Sequence, residues 1–246
     1  MQNSKPKAID ADSLVAHRGY QQHFPENTLL AIAEALALGA LHVELDVQLS
    51  ADRVPMIYHD DSLQRMSGRS GLLKDFSAAQ LQQMPAHEPQ RFGQRFADER
   101  IATLAQLLPL ARAHPSATFY VELKEEAVRD HGIGPCLRQI HQVLEPVLAQ
   151  CVLISFDEGA LAQASEFPRI GLVTRRWADR EQQIAALGCS VLFVNHQRIP
   201  AGDSATASCP VVVYEIGQPQ YARHWLARGA SKVETFAFGE MLGVAL

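Results

Sequence analysis

The chain has 246 residues and a net charge of −5, and charged residues make up 20% of it. This composition is typical of a soluble enzyme and lacks the basic stripe expected of a nucleic-acid-binding protein. The N-terminal segment 1–13 is polar, and no stretch approaches the ~20 apolar residues of a membrane span. We therefore expect no signal peptide, no nucleic-acid partner and no stable membrane association.

The cysteines predict a reducing compartment. Cys136, Cys151, Cys189 and Cys209 are scattered and show no CxxC spacing. Two disulfides are possible in principle, but buried reduced thiols in a cytoplasmic protein are the favoured interpretation.

Short apolar runs alternate with longer amphipathic segments along the chain. Thr28–Leu38 carries apolar residues at helical spacing, and Gly39 follows it as a C-cap glycine should. Alternation of this kind predicts a parallel α/β sheet, and the number of strands favours a closed TIM-like (β/α)₈ barrel, a single domain over residues 1–246. The predicted strands are Leu14–His17, Leu41–Val47, Val54–Tyr58, Thr118–Leu123, Cys151–Ser155, Ile170–Thr174, Val191–Val194, Val211–Ile216 and Ser231–Phe236.

Two features complicate this barrel. Nine strands are predicted where eight are needed, and the connection from Val47 to Val54 is too short for a helical crossover. Either that connection is unusually tight, or one predicted strand lies outside the barrel. The segment 61–100, rich in turn formers, is interpreted as a small insertion after the third strand, either a lid over the barrel mouth or an exposed loop.

Ionisable residues end the first four predicted strands, where the functional side chains of such barrels lie. The first strand ends in His17 and Arg18, and the third is followed by His59. Because side chains alternate along a strand, Glu44 and Asp46 share one face of the second strand, opposite an apolar face. Glu122 and Lys124 share a face of the fourth strand in the same way.

Three carboxylates in one barrel mouth indicate a cation site. Glu44, Asp46 and Glu122 would repel one another unless some are protonated or a cation lies among them. Carboxylate oxygens suit Mg²⁺ or Ca²⁺, and no compact His/Cys set favours zinc. The alternative is an ion-pair network in which Lys124 and Arg18 neutralise the acids.

His17 and His59 would flank these acids and could act as an acid–base pair near neutral pH. Such a pair beside a divalent cation suits phosphoryl chemistry, in which Arg18 also offsets phosphate charge. The other eight histidines fall mostly in loops or helices and are interpreted as surface or structural residues.

Together these motifs closely resemble the glycerophosphodiester phosphodiesterase family. The matching strings, in order and spacing, are His17-Arg18-Gly19, Pro25-Glu26-Asn27-Thr28, Glu44-Leu45-Asp46-Val47, His59-Asp60-Asp61-Ser62-Leu63, Arg65-Met66-Ser67-Gly68 and Glu122-Leu123-Lys124. Each string alone is weak, but the set in register is highly specific. The strong resemblance covers residues 14–125.

The resemblance implies a TIM barrel that hydrolyses glycerophosphodiesters, such as glycerophosphocholine or glycerophosphoethanolamine, to sn-glycerol 3-phosphate and an alcohol. It implies one Mg²⁺ or Ca²⁺ ion on Glu44, Asp46 and Glu122, with His17 and His59 as the acid–base pair. Arg18 and Lys124 match phosphate-contacting positions. Glu26 and Asn27 look like residues that support the metal ligands, although capping of the helix at Thr28 is an alternative explanation for this string. A monomer or homodimer is expected.

Some positions depart from the family pattern. Ser50 and Asp52-Arg53 replace the usual Thr and Asp-Gly, and the late strands read Tyr214-Glu215-Ile216-Gly217 and Lys232-Val233-Glu234-Thr235-Phe236. We interpret these positions as lining the alcohol or glycerol side of the pocket. Two rivals therefore stay open: a lysophospholipase D or phospholipase C-like enzyme acting on a lipid, and a non-catalytic sensor of glycerophosphodiesters.

Overall fold

The computed structural model describes residues 8–244, so the predictions for segment 1–7 and residues 245–246 lie outside the described residues. The strands are β1 Leu14–Ala16, β2 His42–Leu49, β3 Pro55–Ile57, β4 Thr118–Leu123, β5 Cys151–Ser155, β6 Ile170–Thr174, β7 Val191–Asn195, β8 Val211–Tyr214 and β9 Lys232–Thr235. The α-helices are α1 Leu29–Ala37, α2 Gln64–Ser67, α3 Ala78–Leu81, α4 Pro89–Phe92, α5 Leu108–Ala113, α6 Glu125–His131, α7 Ile133–Leu144, α8 Glu158–Gln163, α9 Arg180–Leu187, α10 Pro219–Ala227 and α11 Phe238–Met241.

Eight parallel strands close into a barrel in the order β1-β9-β8-β7-β6-β5-β4-β2. Closure comes from β1, which pairs with β9 through Leu14 and Val233 and with β2 through Ala16 and Val43. The predicted TIM-like barrel is therefore confirmed. Because every barrel strand runs in the same direction, all eight carboxyl ends open onto one face.

The ninth predicted strand, β3, lies outside the barrel. It runs antiparallel to the far end of β2, with Val47 opposite Ile57 and Leu49 opposite Pro55. An antiparallel hairpin needs no crossover helix, which explains the short connection. Placing His59 at the end of a barrel strand was wrong, because it follows this hairpin strand instead.

Alternation along the strands separates two apolar clusters. Outward residues such as Val43, Leu45 and Val121 pack against the surrounding helices. Inward residues such as Val152 and Phe193 fill the barrel interior. Glu44 and Asp46 take inward positions on β2, at the polar end of that interior, as the alternation predicts.

The insertion after β3 has a small core of its own. Leu63, Met66, Leu73 and Leu81 are buried there together with Met56 of β3. An exposed loop would bury no such cluster, so the loop interpretation of segment 61–100 was wrong. Three short helices, α2 to α4, shape the segment.

Within residues 8–244, no helix has the length and apolarity needed to cross a membrane. The four cysteines are free thiols, and three of them are buried.

Candidate functional site

A cavity of about 190 Å³ opens at the carboxyl ends of the barrel strands. Six of the nine predicted site residues line it: His17, Arg18, Glu44, His59, Glu122 and Lys124. The other three, Glu26, Asn27 and Asp46, are buried and contact that set directly, as described below. The fold thus brings together all the residues that the sequence singled out.

Three buried carboxylates form the centre of the site. Glu44, Asp46 and Glu122 each offer an oxygen within 4.8 Å of the others. The register of β2 and β4 explains this closeness, since Asp46 lies directly opposite Glu122. Hard carboxylate oxygens gathered at this spacing fit a cation such as Mg²⁺ or Ca²⁺.

The electrostatics of the three acids are unequal. Burial, with the nearby Asp46 carboxylate next in effect, raises the pKa of Glu44 well above its usual value. Burial also raises the pKa of Glu122, although the Lys124 ammonium opposes this. For Asp46, burial is outweighed by Arg18 and Lys124, which hold its pKa well below its usual range. Full ionisation of all three acids would therefore leave one negative charge that Arg18 and Lys124 do not offset, and a bound divalent ion would balance it.

Two cations of the chain contact these acids. Arg18 donates its backbone N–H to Glu44 Oε2 at 3.1 Å, and its Nε lies 3.0 Å from Asp46 Oδ2. Lys124 Nζ lies 2.9 Å from Glu122 Oε1 and 3.4 Å from Asp46 Oδ1. Both the ion pairs and the carboxylate cluster are therefore present, and Glu44 is the acid without an Arg or Lys side-chain partner in the described residues.

The turn after β1 has an unusual backbone that places Arg18 here. Arg18 has φ 54° and Gly19 has φ 81°. A Cβ on Gly19 would lie 2.5 Å from the carbonyl carbon of Ala31 in α1, so a glycine is needed at this close approach.

Asn27 and Glu26 form hydrogen bonds with Asp46 and Arg18 of the site. Asn27 Nδ2 donates to Asp46 Oδ2 at 2.8 Å, and Asp46 N donates to Asn27 Oδ1 at 3.1 Å. Glu26 Oε1 accepts from Arg18 Nη1 at 2.8 Å. Capping of α1 is performed separately by Thr28, whose hydroxyl accepts from Ala31 N. The string thus both contacts Arg18 and Asp46 and caps α1.

His17 is fixed by a residue that sequence reasoning missed. Gln21 Nε2 lies 2.8 Å from His17 Nδ1 and also donates to the His17 carbonyl, which sets the amide orientation. The Nδ1 atom is then an acceptor, so a neutral His17 carries its proton on Nε2. Burial and the Arg18 guanidinium lower the pKa of His17 to about 3, so the ring is neutral at pH 7.

His59 is oriented by Asp60. His59 Nδ1 lies 2.7 Å from Asp60 Oδ1, and an ionised carboxylate can only accept, so Nδ1 is the donor. Burial alone would raise the pKa of Asp60, but hydrogen bonds from His59 and Arg65 hold it below its usual range. The Nε2 lone pair of a neutral His59 is left unengaged by this contact.

Arg65 in α2 links the two sides of the site. Its Nε and Nη2 donate to both oxygens of Asp60, at 2.7 and 2.8 Å, and Nη2 also donates to Glu26 Oε1 at 2.6 Å. One guanidinium thus connects Asp60, which orients His59, with Glu26, which binds Arg18. The Arg65 string was noted in the sequence, but nothing local indicated this contact.

The insertion also contacts these loops through Glu88 and Arg91. Glu88 is buried, and its Oε1 accepts the backbone N–H of Glu26 at 2.7 Å. Arg91 donates to Glu88 Oε2 and to the Gln21 carbonyl, both at 2.6 Å. Segment 61–100 therefore supports the loops that carry His17, Arg18 and His59.

We expect Arg65→Lys to lower turnover by ~10–100-fold, the usual cost of losing a residue that orients catalytic or metal-binding groups. A lysine cannot reproduce the two-pronged contact with Asp60. The kcat for a glycerophosphodiester measures this, with Arg100→Lys as the control, since the Arg100 side chain donates to the backbone carbonyls of Ala97 and Glu99 in its own loop. Equal rates for both variants would show that the Arg65 contacts are incidental.

Five further polar residues of the cavity were not among the nine predicted site residues. Asn195, Arg198, Tyr214, Glu215 and Glu234 line the cavity on the β7, β8 and β9 side. Three of them, Tyr214, Glu215 and Glu234, lie in the strings where the sequence departs from the family pattern, and that departure was the available signal.

Glu234 should destabilise the metal-free protein at neutral pH. Burial and then the Glu122 carboxylate raise its pKa well above the usual value. A raised folded pKa means that stability is complete below the unfolded pKa of ~4.3 and is lost as pH rises through the folded value. Glu234→Gln should therefore stabilise the chelated protein by at least ~1 kcal/mol at about pH 8, since one pKa unit corresponds to ~1.4 kcal/mol.

The measurement is urea unfolding of both proteins in EDTA. The gain should disappear at about pH 3, below the unfolded pKa of ~4.3, where Glu234 is protonated in the folded and unfolded states alike. A gain of equal size at both pH values would mean that packing, and not ionisation, causes the difference.

Known proteins share sequence similarity with parts of this chain. The chain is 36% identical over 127 residues to glycerophosphodiester phosphodiesterase 1 of Rattus norvegicus, covering 52% of this chain and 38% of that protein. It is 39% identical over 97 residues to the glycerophosphodiester phosphodiesterase of Caldanaerobacter subterraneus subsp. tengcongensis, covering 39% of each. These matches span about two fifths of the relatives' own length.

Solved structures share the fold. An Oleispira antarctica phosphodiesterase, determined in complex with the product sn-glycerol-3-phosphate, superposes with a TM-score of 0.81 at 24% identity, over 94% of this chain and 95% of that chain. The glycerophosphodiester phosphodiesterase from Agrobacterium tumefaciens str. C58 gives 0.77 at 21% identity, over 94% and 99%. The model of the glycerophosphoryl diester phosphodiesterase family matches residues 17–231. Because this match spans most of the chain, the protein belongs to that family.

Proposed function

We propose that this protein hydrolyses glycerophosphodiesters to sn-glycerol 3-phosphate and an alcohol, with the help of one divalent cation. The observation that carries the proposal is the meeting of Glu44, Asp46 and Glu122 within 4.8 Å of one another, on a cavity that His17 and His59 also line. A family member with this arrangement has the groups that phosphodiester hydrolysis needs.

The three carboxylates would hold Mg²⁺ or Ca²⁺. Their donor atoms are hard oxygens, and a bound divalent cation would stabilise the ionised form of Glu44, which burial and Asp46 otherwise disfavour. When bound, such an ion offsets negative charge on the phosphate oxygens. Arg18 and Lys124 line the same cavity, and their side chains would contact the phosphate oxygens.

The two histidines have different hydrogen-bond partners, and we therefore assign them different roles. His59, with its Nδ1 proton on Asp60, presents a basic Nε2 and suits removal of a proton from the attacking hydroxyl. His17, whose Nδ1 accepts from Gln21, presents an Nε2–H that would donate a hydrogen bond to the leaving oxygen, while the proton itself would come from the protonated His59. This assignment follows from the hydrogen-bond partner of each ring.

The proposed route begins with the glycerol 2-hydroxyl of the substrate itself. Its oxygen forms a bond to phosphorus while the bond from phosphorus to the alcohol oxygen breaks. The proton of the attacking hydroxyl passes to His59, and the leaving alcohol takes up that proton. Water then opens the cyclic phosphate to give sn-glycerol 3-phosphate. An intramolecular attack of this kind needs mainly positioning and proton transfer, which the site residues can supply.

We also propose that the protein acts in the cytoplasm, because all four cysteines are free thiols. Its substrate would be a small-molecule glycerophosphodiester. The protein would work as a monomer or homodimer, since nothing in the catalytic set requires a second chain.

A second candidate is a lysophospholipase D or phospholipase C-like activity on a lipid. A second cavity of about 550 Å³ shares Glu215 with the first and is lined by apolar residues including Ile216, Trp225 and Phe236. Tyr221 beside it is 57% exposed. An apolar groove next to the catalytic cavity is what an acyl chain would require.

The test is a screen of diesters with Mg²⁺ or Ca²⁺, in which glycerol 3-phosphate is measured by a coupled assay. Glycerophosphocholine and glycerophosphoethanolamine should be hydrolysed, and excess EDTA should stop the reaction. Much faster turnover of a long-chain lysolipid would favour the lipid candidate. Binding without turnover of any diester would favour the sensor.

A further inference from the structure

Glu88 is a buried residue of the insertion with an unusual backbone. Its φ of 45° and ψ of 69° lie in the left-handed region, which non-glycine residues seldom adopt. A residue that precedes a proline, as Glu88 does, normally takes an extended conformation. The Glu88 N–H donates at 3.0 Å to the carbonyl of Met66, which lies in the small core of the insertion. A strained backbone of this kind persists only where its surroundings hold it, and such residues cluster at functional positions.

Glu88 and Arg91, together the Glu88–Arg91 pair, bind the main chain of the turn after β1 at two points. Glu88 is 2% exposed, and its Oε1 accepts the backbone N–H of Glu26 at 2.7 Å. Its Oε2 accepts from Arg91 Nη1 at 2.6 Å, and Nη2 of the same guanidinium donates to the Gln21 carbonyl at 2.6 Å. Neither residue of the pair lines the cavity. The pair therefore contacts the turn and not the substrate.

The two residues held in this way are the ones that orient His17 and Arg18. Gln21 Nε2 lies 2.8 Å from His17 Nδ1, and Glu26 Oε1 accepts from Arg18 Nη1 at 2.8 Å. Hydrogen bonds weaken steeply with distance and angle, so a displaced main chain would carry the amide or the carboxylate away from its partner. The orientation of both side chains thus depends on contacts made by the insertion.

The turn needs such contacts because its own backbone is strained. Arg18 and Asn27 both have φ 54°, and neither is a glycine. Asn27 N donates to the Arg18 carbonyl at 3.1 Å, so the two strained residues are joined directly. The bond from Glu26 N to Glu88 lies one residue before Asn27. It therefore holds the turn next to one of its strained residues.

We propose that Glu88 and Arg91 are positioning residues that set the geometry of His17 and Arg18 from the insertion. Arg91 acts through Gln21 on His17, whose Nε2–H faces the leaving oxygen. Glu88 acts through Glu26 on Arg18 as well, because it binds both Glu26 and Arg91. The inference rests on the proposed function, in which His17 serves the leaving oxygen and Arg18 the phosphate.

Two variants separate these effects. Arg91→Met removes the guanidinium and keeps the stem that packs on Phe92, over which the Arg91 guanidinium lies at 4.6 Å. Glu88→Asn suits the left-handed backbone, which asparagine tolerates, but its shorter side chain cannot reach Glu26. Arg95→Met is the matched control, since Arg95 is exposed and stacks on Phe96 at 4.8 Å in the same way. The Arg91 side chain is 40% exposed, so its variant keeps the test available if Glu88→Asn does not fold.

The kinetic measurement uses two esters of glycerophosphate, with choline and with p-nitrophenol as the alcohol. Arg91→Met should lower kcat for the choline ester at least about tenfold, the lower end of the usual cost of losing an orienting partner, with KM unchanged. Most of this loss should be absent with p-nitrophenol, which leaves without help from His17. Glu88→Asn should show the same loss in kcat and should also raise KM for both esters at least about tenfold. Arg95→Met should match the wild type.

Two readouts do not depend on hydrolysis. Nitrogen-15 NMR of histidine-labelled protein at pH 7, with His17 assigned through His17→Ala, should show the proton on Nε2 in the wild type and a mixture of tautomers in Arg91→Met. Calorimetry with glycerol 3-phosphate and Mg²⁺ should show weaker binding to Glu88→Asn than to Arg91→Met. If no diester is hydrolysed, the proposed function fails, whereas these two differences would still support the positioning role.

A merely structural role predicts a different pattern. A smaller folded fraction lowers kcat by the same factor for both esters and leaves KM and the His17 tautomer as in the wild type. That result in both variants, or wild-type kinetics in both, would overturn the proposal while leaving the proposed function intact.

Discussion

Asp46→Asn should abolish metal-dependent turnover, lowering kcat/KM by at least ~10³-fold. A divalent cation supplies several kcal/mol of charge stabilisation to such a reaction, and each ~1.4 kcal/mol is a factor of ten. Asp46 is the most deeply buried of the three acids, and its pKa is held well below the usual range by Arg18 and Lys124, so it is the carboxylate that stays ionised for the metal. Asparagine keeps the shape and removes the charge.

The measurement combines release of glycerol 3-phosphate across a titration of Mg²⁺ and Ca²⁺ with calorimetric binding of Ca²⁺. Asp98→Asn, an exposed change in the insertion, is the matched control and should behave as the wild type. Circular dichroism checks that the variant folds. Wild-type turnover by Asp46→Asn, or by the wild-type protein in excess EDTA, would contradict the metal site.

His17→Ala and His59→Ala should each lower kcat by about 10²-fold or more, the usual contribution of a positioned acid or base. Both side chains line the cavity, and each is held at Nδ1 by its own partner, Gln21 or Asp60. His114→Ala is the control, because His114 precedes β4 at the opposite end of the barrel. A histidine variant with the full wild-type rate would lose its assigned role.

A substrate with a better leaving group distinguishes the roles of His17 and His59. A p-nitrophenyl ester of glycerophosphate needs no protonation of its leaving oxygen. His17→Ala should therefore recover most of its lost rate on this ester, whereas His59→Ala should not, because the attacking hydroxyl still needs a base. The opposite pattern would exchange the two roles.

The resemblance in residues 14–125 predicted which residues would meet, but not how they are held. Alternation on β2 and β4 was enough to place Glu44, Asp46 and Glu122 on inward faces, because that pattern is local to each strand. The contacts of Arg65 with Asp60 and Glu26 join residues up to 39 positions apart, so no local pattern indicates them.

The sequence by itself determined the alternation of strands and helices, the inward carboxylates and the motifs on which the family assignment rests. Only the tertiary structure decided that β3 pairs antiparallel with β2 outside the barrel, since the apolar pattern of a strand does not encode the direction of its partner. Only the structure placed Glu234 on the cavity that Glu44 and Glu122 also line, because β9 meets β1 when the barrel closes. A contact made by closure depends on all eight strands together, and therefore on no single segment of the chain.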